Sequence, residues 1–400
     1  MAEYSKTTEL LYQGTTVRGM DFNHPLVIPY YSTTAFKVQT LDEVKEMSSK
    51  KFSYVRFSNP NREVLAEIVS FLEEGEKSLI FESGMGAITT TLMTLLSPGD
   101  EVICNSNIYG ETFQVMTEVL PKFGVCTKLV DFCDVENVKK NITSKTAIVY
   151  TEVCANPVLK MADIPAIAKI AHKNNAILMV DNTFTSPIVI RPLTLGADIV
   201  INSMTKFMNG HSDAIGGSVT SRTDIIAKID RMRPLFGTSG DPYASYTMYK
   251  NFGTMDLRIK KQTSNAAKLA KVLEDHKHII KVNHPSLTSF PQHELAMRLF
   301  KSDELMCGMM SIVLPEAEGD DRTALVDKFT SHLKFVRYAS TLGGIHTTLM
   351  HPVTSSHCDV PDTVRRAMGI TPGLLRVSVG IEDPDDLIQE FSQALDSLDR

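Results

Sequence analysis

The sequence lacks the features that mark several other classes of protein. None of its six cysteines belongs to a C-x-x-C pair, the spacing typical of zinc sites and thiol redox centres. No apolar run reaches the roughly 18 residues that a membrane-spanning helix needs. The N-terminal residues also lack the basic-then-apolar pattern of a secretion signal. We therefore expect a cytoplasmic protein with buried free thiols, no metal site and no membrane contact.

Positive charge and nucleotide-binding glycine motifs are also scarce. The formal net charge is −6 at pH 7, and no dense Lys/Arg cluster is present, which argues against a nucleic-acid-binding protein. The glycine pattern that begins at residue 84 lacks the third glycine of a dinucleotide-binding fingerprint, and no P-loop G-K-[ST] occurs. A nicotinamide-dependent oxidoreductase is therefore disfavoured, and a small-molecule substrate is expected.

Short apolar runs alternate with segments of helical period from about residue 60 to 220. The runs lie at 78–81, 101–104, 146–153, 176–180 and 197–202. Continuous apolar strands joined by helices indicate an α/β fold with a mostly parallel sheet that is covered on both faces. We predict three parts, namely an N-terminal arm that contacts a neighbouring subunit, an α/β domain and a smaller C-terminal α+β domain, at 1–55, 56–255 and 256–400.

The predicted strands are followed by residues that suit an anionic, aromatic ligand. Ligands of parallel sheets bind beyond the carboxyl ends of the strands, and the small-residue turn at 83–86 opens a helix whose N–H groups suit a phosphate. The other residues in such places are Tyr109, Asn156, Asp181, Ser203, Thr205 and Lys206. Singly, each has an ordinary explanation. Tyr109 could cap the edge of the core, Asn156 could belong to an Asn-Pro turn, Asp181 could pair with a structural arginine, and Lys206 could be a solvated surface residue.

Together, these residues match the requirements of pyridoxal 5′-phosphate (PLP). A lysine forms the Schiff base, a carboxylate keeps the pyridine nitrogen protonated, and hydroxyl and helix N–H groups hold the phosphate. A lysine in a half-buried pocket has a lowered pKa and can act as an amine nucleophile. Lys206, at the exit of the predicted strand 197–202, is therefore expected to meet the aldehyde of the cofactor.

Several segments resemble the Cys/Met-metabolism family of PLP-dependent enzymes. They are YVRFSNP at 54–60, FESGMGAI at 81–88, IYGET at 108–112, VDNTFTSP at 180–187, GADIVINSMTKFMNGHSDAIGG at 196–217 and LLRVSVGIEDPDDL at 374–387. The resemblance runs from about residue 25 to the C-terminus. It implies a fold-type I, aspartate-aminotransferase-like subunit in a homotetramer, a dimer of dimers with active sites shared between subunits.

The resemblance also implies roles for individual residues. Tyr54 and Arg56 should reach the PLP phosphate of the neighbouring subunit, Asn156 the ring hydroxyl and Asp181 the ring nitrogen. Tyr109 should stack on the ring and move protons. Lys206 should form the Schiff base. The PLP phosphate of the same subunit should be bound by Gly84, Met85, Ser203 and Thr205, and Thr183 should also contact the cofactor. Arg376 should bind the substrate α-carboxylate with two parallel hydrogen bonds, a geometry for which arginine is suited.

Within the family, the segments at 281–296 and 369–382 look most like methionine γ-lyases. This likeness implies α,γ-elimination of L-methionine or homocysteine-type amino acids to 2-oxobutanoate, ammonia and a thiol. The positions that set specificity depart from that pattern: Glu111 replaces Cys, Arg233-Pro234 replaces a Lys-Asp pair from a neighbouring subunit, Thr341 replaces Ser and His346 replaces Glu. Gln114 stands where cystathionine-handling enzymes often place Arg.

The departures leave alternatives open. Glu111 is either solvated or paired with Arg233, or it belongs to an altered distal pocket that suits a cationic leaving group such as that of canavanine. Glu111, Arg233, Thr341 and Arg376 are the predicted substrate-binding residues. A γ-replacement enzyme, such as an O-acetylhomoserine sulfhydrylase or a cystathionine γ-synthase, remains the alternative to a lyase because the two reactions share their catalytic residues.

Overall fold

A seven-stranded sheet forms the larger part of the molecule. The computed structural model describes residues 5–13, 25–50, 52–300, 302, 305–317, 321–358 and 360–399. The strands of this sheet are β1 (Lys77–Phe81), β2 (Glu101–Asn105), β3 (Cys126–Val130), β4 (Thr146–Glu152), β5 (Ile177–Asp181), β6 (Ile199–Ser203) and β7 (Gly217–Ser221). Their order is β1-β7-β6-β5-β4-β2-β3, and β7 alone runs against its neighbours in this sheet. The prediction of a mostly parallel sheet is confirmed.

Two of these strands were not among the predicted ones, for a physical reason in each case. Strand β3 lies at the edge of the sheet and leaves Cys126 exposed, so it has no continuous apolar run. Strand β7 is buried but consists mainly of small and hydroxyl-bearing residues. Cys133 and Cys358 are also exposed, so the expectation that the thiols are buried is correct only for Cys104, Cys154 and Cys307.

Helices cover both faces of the large sheet. Alternate residues of β2 enter two different hydrophobic clusters, with Ile103 in one and Val102 and Cys104 in the other, because successive side chains of a strand point to opposite faces. The helices of this part are α1 (Lys6–Tyr12), α2 (Leu41–Lys50), α3 (Pro60–Glu73), α4 (Gly84–Leu95), α5 (Gly110–Gln114), α6 (Val135–Asn141), α7 (Ile164–Lys173), α8 (Ser186–Val189), α9 (Thr223–Phe236) and α10 (Pro242–Phe252).

A second, five-stranded sheet follows the long helix α11 (Met255–Glu274). Its order is β10-β11-β12-β9-β8, and the strands are β8 (Lys281–Asn283), β9 (Met309–Val313), β10 (Arg337–Tyr338), β11 (Thr348–Met350) and β12 (Leu374–Ser378). The remaining helices are α12 (His293–Leu299), α13 (Ala324–Ser331), α14 (Asp362–Ala367) and α15 (Pro384–Asp396). The domain boundary near residue 255 and the arm's contact with another subunit stay predictions, and residues 1–4, 14–24 and 51 of that arm lie outside the described residues.

The two sheets meet at the carboxyl end of the large one. Gly343 has a φ of +78°, and a Cβ atom there would lie only 2.4 Å from the backbone nitrogen of Phe207. This close approach seats the loop before β11 directly on the turn that follows β6. Among the described residues, no helix is both long enough and apolar enough to cross a membrane.

Candidate active site

A cavity of about 490 Å³ lies between the carboxyl ends of the large-sheet strands and the loops of the smaller sheet. The parallel strands aim their ends at the same edge, so residues that are far apart in sequence converge there. The predicted residues that line the cavity are Gly84, Met85, Tyr109, Glu111, Asn156, Asp181, Thr183, Ser203, Thr205, Lys206, Thr341 and Arg376.

One wall of the cavity is a cradle for an anion at the start of helix α4. The Ser83 hydroxyl caps this helix by accepting the Gly86 N–H at 3.0 Å. A Cβ atom on Gly84 would lie 2.8 Å from the Cβ of Ser203, so only glycine fits this position without displacement. The helix N-terminus presents N–H groups and a positive dipole end to the cavity. The arrangement fits a phosphate group.

Thr205 and Thr183 hold the turns beside this cradle. The Thr205 hydroxyl accepts the Gly216 N–H at 3.1 Å and lies 3.2 Å from the Gly216 carbonyl oxygen, to which it can donate. The Thr183 hydroxyl accepts the Ser203 N–H at 2.8 Å, which joins the loop after β5 to the end of β6. These bonds fix the hydroxyl-bearing turns of two adjacent strands around the same space.

Asp181 ends strand β5 and faces the cavity from a buried position. Its Oδ1 accepts the Thr183 N–H at 2.9 Å, and its Oδ2 accepts the Tyr150 hydroxyl at 3.4 Å. Burial raises the pKa of this carboxyl above its ordinary value. A cationic N–H group in the cavity would restore the charged form of the carboxylate, which fits the protonated nitrogen of a pyridine ring.

Lys206 follows strand β6 by one tight turn, in which its N–H donates to the Ser203 carbonyl at 3.2 Å. Burial and the nearby Arg376 guanidinium lower the pKa of the Lys206 amine, while the Glu111 carboxylate opposes the shift. A larger fraction of the amine is therefore neutral and nucleophilic at physiological pH.

Tyr109 lines the cavity and lies just before helix α5. Burial raises the pKa of its phenol to about 12, and interaction with the Glu111 carboxylate adds to this effect. The phenol therefore stays protonated throughout the physiological range and is available as a proton donor.

Glu152 belongs to the site, although it was not among the predicted residues. Its Oε1 accepts the Tyr109 N–H at 2.6 Å, and its Oε2 accepts the Asn156 N–H at 3.3 Å. Glu152 on β4 lies beside Asp181 in the strand register of β4 and β5. Burial together with the Asp181 charge raises the pKa of Glu152 to about 8. The available signal was a carboxylate inside an apolar run, which is costly without partners.

Arg376 reaches the cavity from strand β12 of the smaller sheet. It is only 4% exposed, and it donates to the Asn156 Oδ1 and to the Thr341 carbonyl, each at 3.1 Å. Burial lowers its pKa to about 10, so it remains a cation at neutral pH. Because a guanidinium carries five N–H donors, donors remain for a carboxylate ligand.

Three predicted residues lie outside the cavity of their own chain. Tyr54 and Arg56 are exposed on the surface, and the Arg56 guanidinium lies 5.6 Å from the centre of the Tyr54 ring. Their predicted contact with a neighbouring subunit stays a prediction.

Arg233 requires a correction, because its guanidinium points into its own chain. It is 5% exposed and donates to the Phe57 carbonyl at 3.0 Å and to the Asp230 carboxylate at 2.7 Å. This geometry assigns it to packing rather than to a substrate contact. Gln114 and His346 are exposed and are not among the lining residues.

Comparison with known proteins gives the family. Residues 8–396 match the model of the Cys/Met metabolism PLP-dependent enzymes. The chain belongs to this family. PLP is therefore its cofactor, and the anion cradle, the buried Asp181 and the Lys206 amine in one cavity fit that molecule.

Individual relatives within the Cys/Met-metabolism family carry different names. An L-methionine gamma-lyase of Treponema denticola is 35% identical over an alignment of 380 positions that covers 93% of each chain. A cystathionine gamma-lyase of Bacillus subtilis is 35% identical over 98% of this chain and 100% of the relative. The solved structure of a cystathionine gamma synthase from Xanthomonas oryzae pv. oryzae, in complex with aminoacrylate and cysteine, superposes with a TM-score of 0.91 at 29% identity, covering 100% of this chain and 99% of that one. This similarity confirms the fold-type I architecture.

Proposed function

We propose that this enzyme is a carbon–sulfur lyase that catalyses α,γ-elimination of L-methionine or homocysteine-type amino acids. Substrate and one water give 2-oxobutanoate, ammonia and a thiol. The observation that carries the proposal is the convergence of Lys206, Tyr109 and Arg376 on one cavity, which provides an amine, a phenol and a carboxylate anchor around the cofactor. The relative named L-methionine gamma-lyase supports the choice of reaction.

The residues that would hold PLP follow from their positions. The start of α4, with Gly84 and Met85, would bind the phosphate together with the hydroxyls of Ser203 and Thr205. Asp181 would bind the ring nitrogen. Because Arg376 already donates to the Asn156 Oδ1, the amide nitrogen of Asn156 is the atom offered to the ring hydroxyl. When bound, PLP supplies an aldehyde for amines and a protonated ring that takes up electrons.

The protein's own groups would then position the substrate and move its protons. Arg376 binds the α-carboxylate and orients the Cα–H bond. The neutral Lys206 amine takes the Cα proton and passes protons along the substrate chain. The Tyr109 phenol, held protonated by its raised pKa, donates a proton to the departing sulfur.

The oligomer proposed from the family resemblance is a homotetramer with shared active sites. Tyr54 and Arg56 are exposed and lie outside the cavity of their own chain, as side chains that serve a neighbour would. Mixing unfolded Arg56→Ala and Lys206→Ala chains and refolding them tests the proposal. Hybrid oligomers should regain activity, because one kind of site then contains both residues. Absence of any regain would count against shared sites.

The first experiment is to measure 2-oxobutanoate release from L-methionine by the PLP-loaded protein, with no thiol acceptor present. The lyase is supported if the wild type releases 2-oxobutanoate and Lys206→Ala loses both this release and the visible cofactor band. The second candidate is γ-replacement, which the structural similarity to a cystathionine gamma synthase favours. No release from L-methionine, but product formation from O-acetylhomoserine and sulfide, would replace the lyase proposal with this one. Canavanine is the next substrate to test.

A further inference from the structure

Glu111 brings a solvent-exposed carboxylate to the cavity, where it interacts with the Tyr109 phenol. Glu111 lines the cavity at the start of α5, on the side of Tyr109. In the part of the chain that the structure describes, Lys206 and Arg376 are the only cationic side chains that line the same cavity. Both have other roles in the proposed reaction, since Lys206 serves the cofactor and Arg376 binds the α-carboxylate of the substrate.

Arg233 does not neutralise Glu111. Its guanidinium is buried and bonded to the Phe57 carbonyl and to Asp230 of the same chain. It cannot extend to a cavity, in its own chain or in another, without leaving those partners. Of the three explanations that the sequence left open for Glu111, the ion pair with Arg233 therefore has no geometric support.

The wall next to Glu111 is rich in hydrogen-bond acceptors. The start of α5 packs on the loop at 355–356, where a Cβ atom on Gly110 would lie 3.3 Å from the Ser356 carbonyl oxygen. The Ser355 hydroxyl lines the cavity but donates its proton to the His351 carbonyl at 2.6 Å, so it offers only its lone pairs. The Ser356 hydroxyl shares a 2.8 Å hydrogen bond with His357 Nδ1. The charged Glu111 acceptor thus stands beside the lone pairs of the Ser355 hydroxyl and the Ser356 carbonyl oxygen.

We propose that Glu111 and the acceptor wall at 355–356 form a distal subsite that selects amino acids whose γ-substituent carries a positive charge or several N–H donors. The inference rests on the proposed γ-elimination and names its substrate class. In that reaction the bond between Cγ and the heteroatom breaks, the heteroatom keeps the electron pair and gains a proton, and one water releases 2-oxobutanoate and ammonia. The leaving group departs as an amino- or guanidino-bearing thiol or hydroxy compound.

A binding experiment tests the subsite without relying on turnover. The PLP-loaded protein is titrated with L-ornithine and with L-norleucine, which have side chains of equal length, carry no leaving group and differ in a terminal ammonium against a methyl group. Changes in the visible cofactor band give the two dissociation constants. We expect L-ornithine to bind about 10- to 100-fold more tightly, the range for a charge-assisted hydrogen bond. Equal affinities would overturn the proposal.

Two variants with the same loss of charge locate the effect. In Glu111→Gln the preference for L-ornithine over L-norleucine should fall to near unity. Glu118→Gln removes an exposed carboxylate from the helical turn that follows α5, outside the cavity, and should leave the preference as it is. Retention of the visible band shows that each variant folds and binds PLP. An undiminished preference in Glu111→Gln would overturn the assignment of the subsite to this residue.

Turnover separates this inference from the proposed function. S-(2-aminoethyl)-L-homocysteine and S-propyl-L-homocysteine differ only in the terminal ammonium and methyl groups, and kcat/KM for 2-oxobutanoate release is compared. A preference for the aminoethyl compound that disappears in Glu111→Gln supports the subsite. Equal kcat/KM values would overturn it and leave the lyase intact. Preferential binding of L-ornithine without 2-oxobutanoate release from any substrate would support the subsite and overturn the lyase.

Discussion

The Glu152 carboxylate accepts the backbone N–H of Tyr109 at 2.6 Å, so an acid buried at the end of β4 holds the start of helix α5. Its other oxygen holds the Asn156 N–H. One side chain therefore positions both Tyr109, the proposed proton donor, and Asn156, the partner of Arg376.

Glu152→Gln should impair positioning rather than PLP binding. A glutamine offers one acceptor oxygen, so either the Tyr109 or the Asn156 N–H loses its partner, at a cost of about 1–3 kcal/mol for a buried donor. We expect a 10-fold or greater fall in kcat with the visible cofactor band retained. Glu152→Asp, which keeps both oxygens on a shorter side chain, should restore part of the loss. An unchanged kcat in the glutamine variant would remove Glu152 from this role.

Tyr109→Phe should separate stacking from proton donation. The ring is kept and the phenol proton is lost, so the cofactor band should persist while kcat for elimination falls by about 10² to 10⁴, the usual contribution of a general acid. The measurement is steady-state release of 2-oxobutanoate beside an absorption spectrum. Undiminished turnover would show that another group protonates the leaving group.

Arg376→Lys should weaken binding of the substrate α-carboxylate. A lysine keeps the charge but loses the paired N–H donors, including those that bind Asn156 and Thr341. We expect kcat/KM to fall by about 10² or more, mainly through KM, because charge-assisted hydrogen bonds contribute about 1.5–3 kcal/mol each. Arg337→Lys, on the exposed strand β10 of the same sheet, is the matched control and should be close to wild type.

The pH dependence of the free energy of unfolding should reveal the raised pKa of the buried Glu73. This carboxylate accepts the Asn202 Nδ2–H at 2.7 Å and the Asn182 Nδ2–H at 3.3 Å, below the ends of β5 and β6. Burial raises its pKa from 4.5 to about 7. The native state therefore binds more protons than the unfolded state between these values, and the free energy of unfolding falls by about 3 kcal/mol as pH rises through this window.

Glu73→Gln removes this term while keeping an acceptor for both amides. Its free energy of unfolding should rise relative to wild type between pH 5 and pH 8, as measured by denaturant unfolding at a fixed protein concentration. Glu74→Gln is the control, because contact with Lys6 lowers the pKa of that neighbouring carboxyl and the same trend is not expected there. A difference between Glu73→Gln and wild type that does not vary with pH would contradict the assignment.

The sequence by itself determined five of the seven strands of the large sheet, the cofactor chemistry and many of the residues that line the cavity. Residues such as Asp181 and Lys206 directly follow apolar strand-forming runs. A parallel sheet brings the carboxyl ends of its strands to one edge, so a local pattern was enough to predict that these residues converge. The short motifs around them carried the family resemblance for the same reason.

The tertiary structure alone decided which charges are paired. Asn156 and Arg376 are bonded across 220 positions of sequence, and the Phe57 carbonyl that accepts from Arg233 lies on the loop before α3. No local pattern encodes such contacts, because the cost of burying a charge depends on groups that arrive from distant segments. Packing therefore turned Arg233 inward, gave Glu152 two backbone donors and left Glu111 lining the cavity.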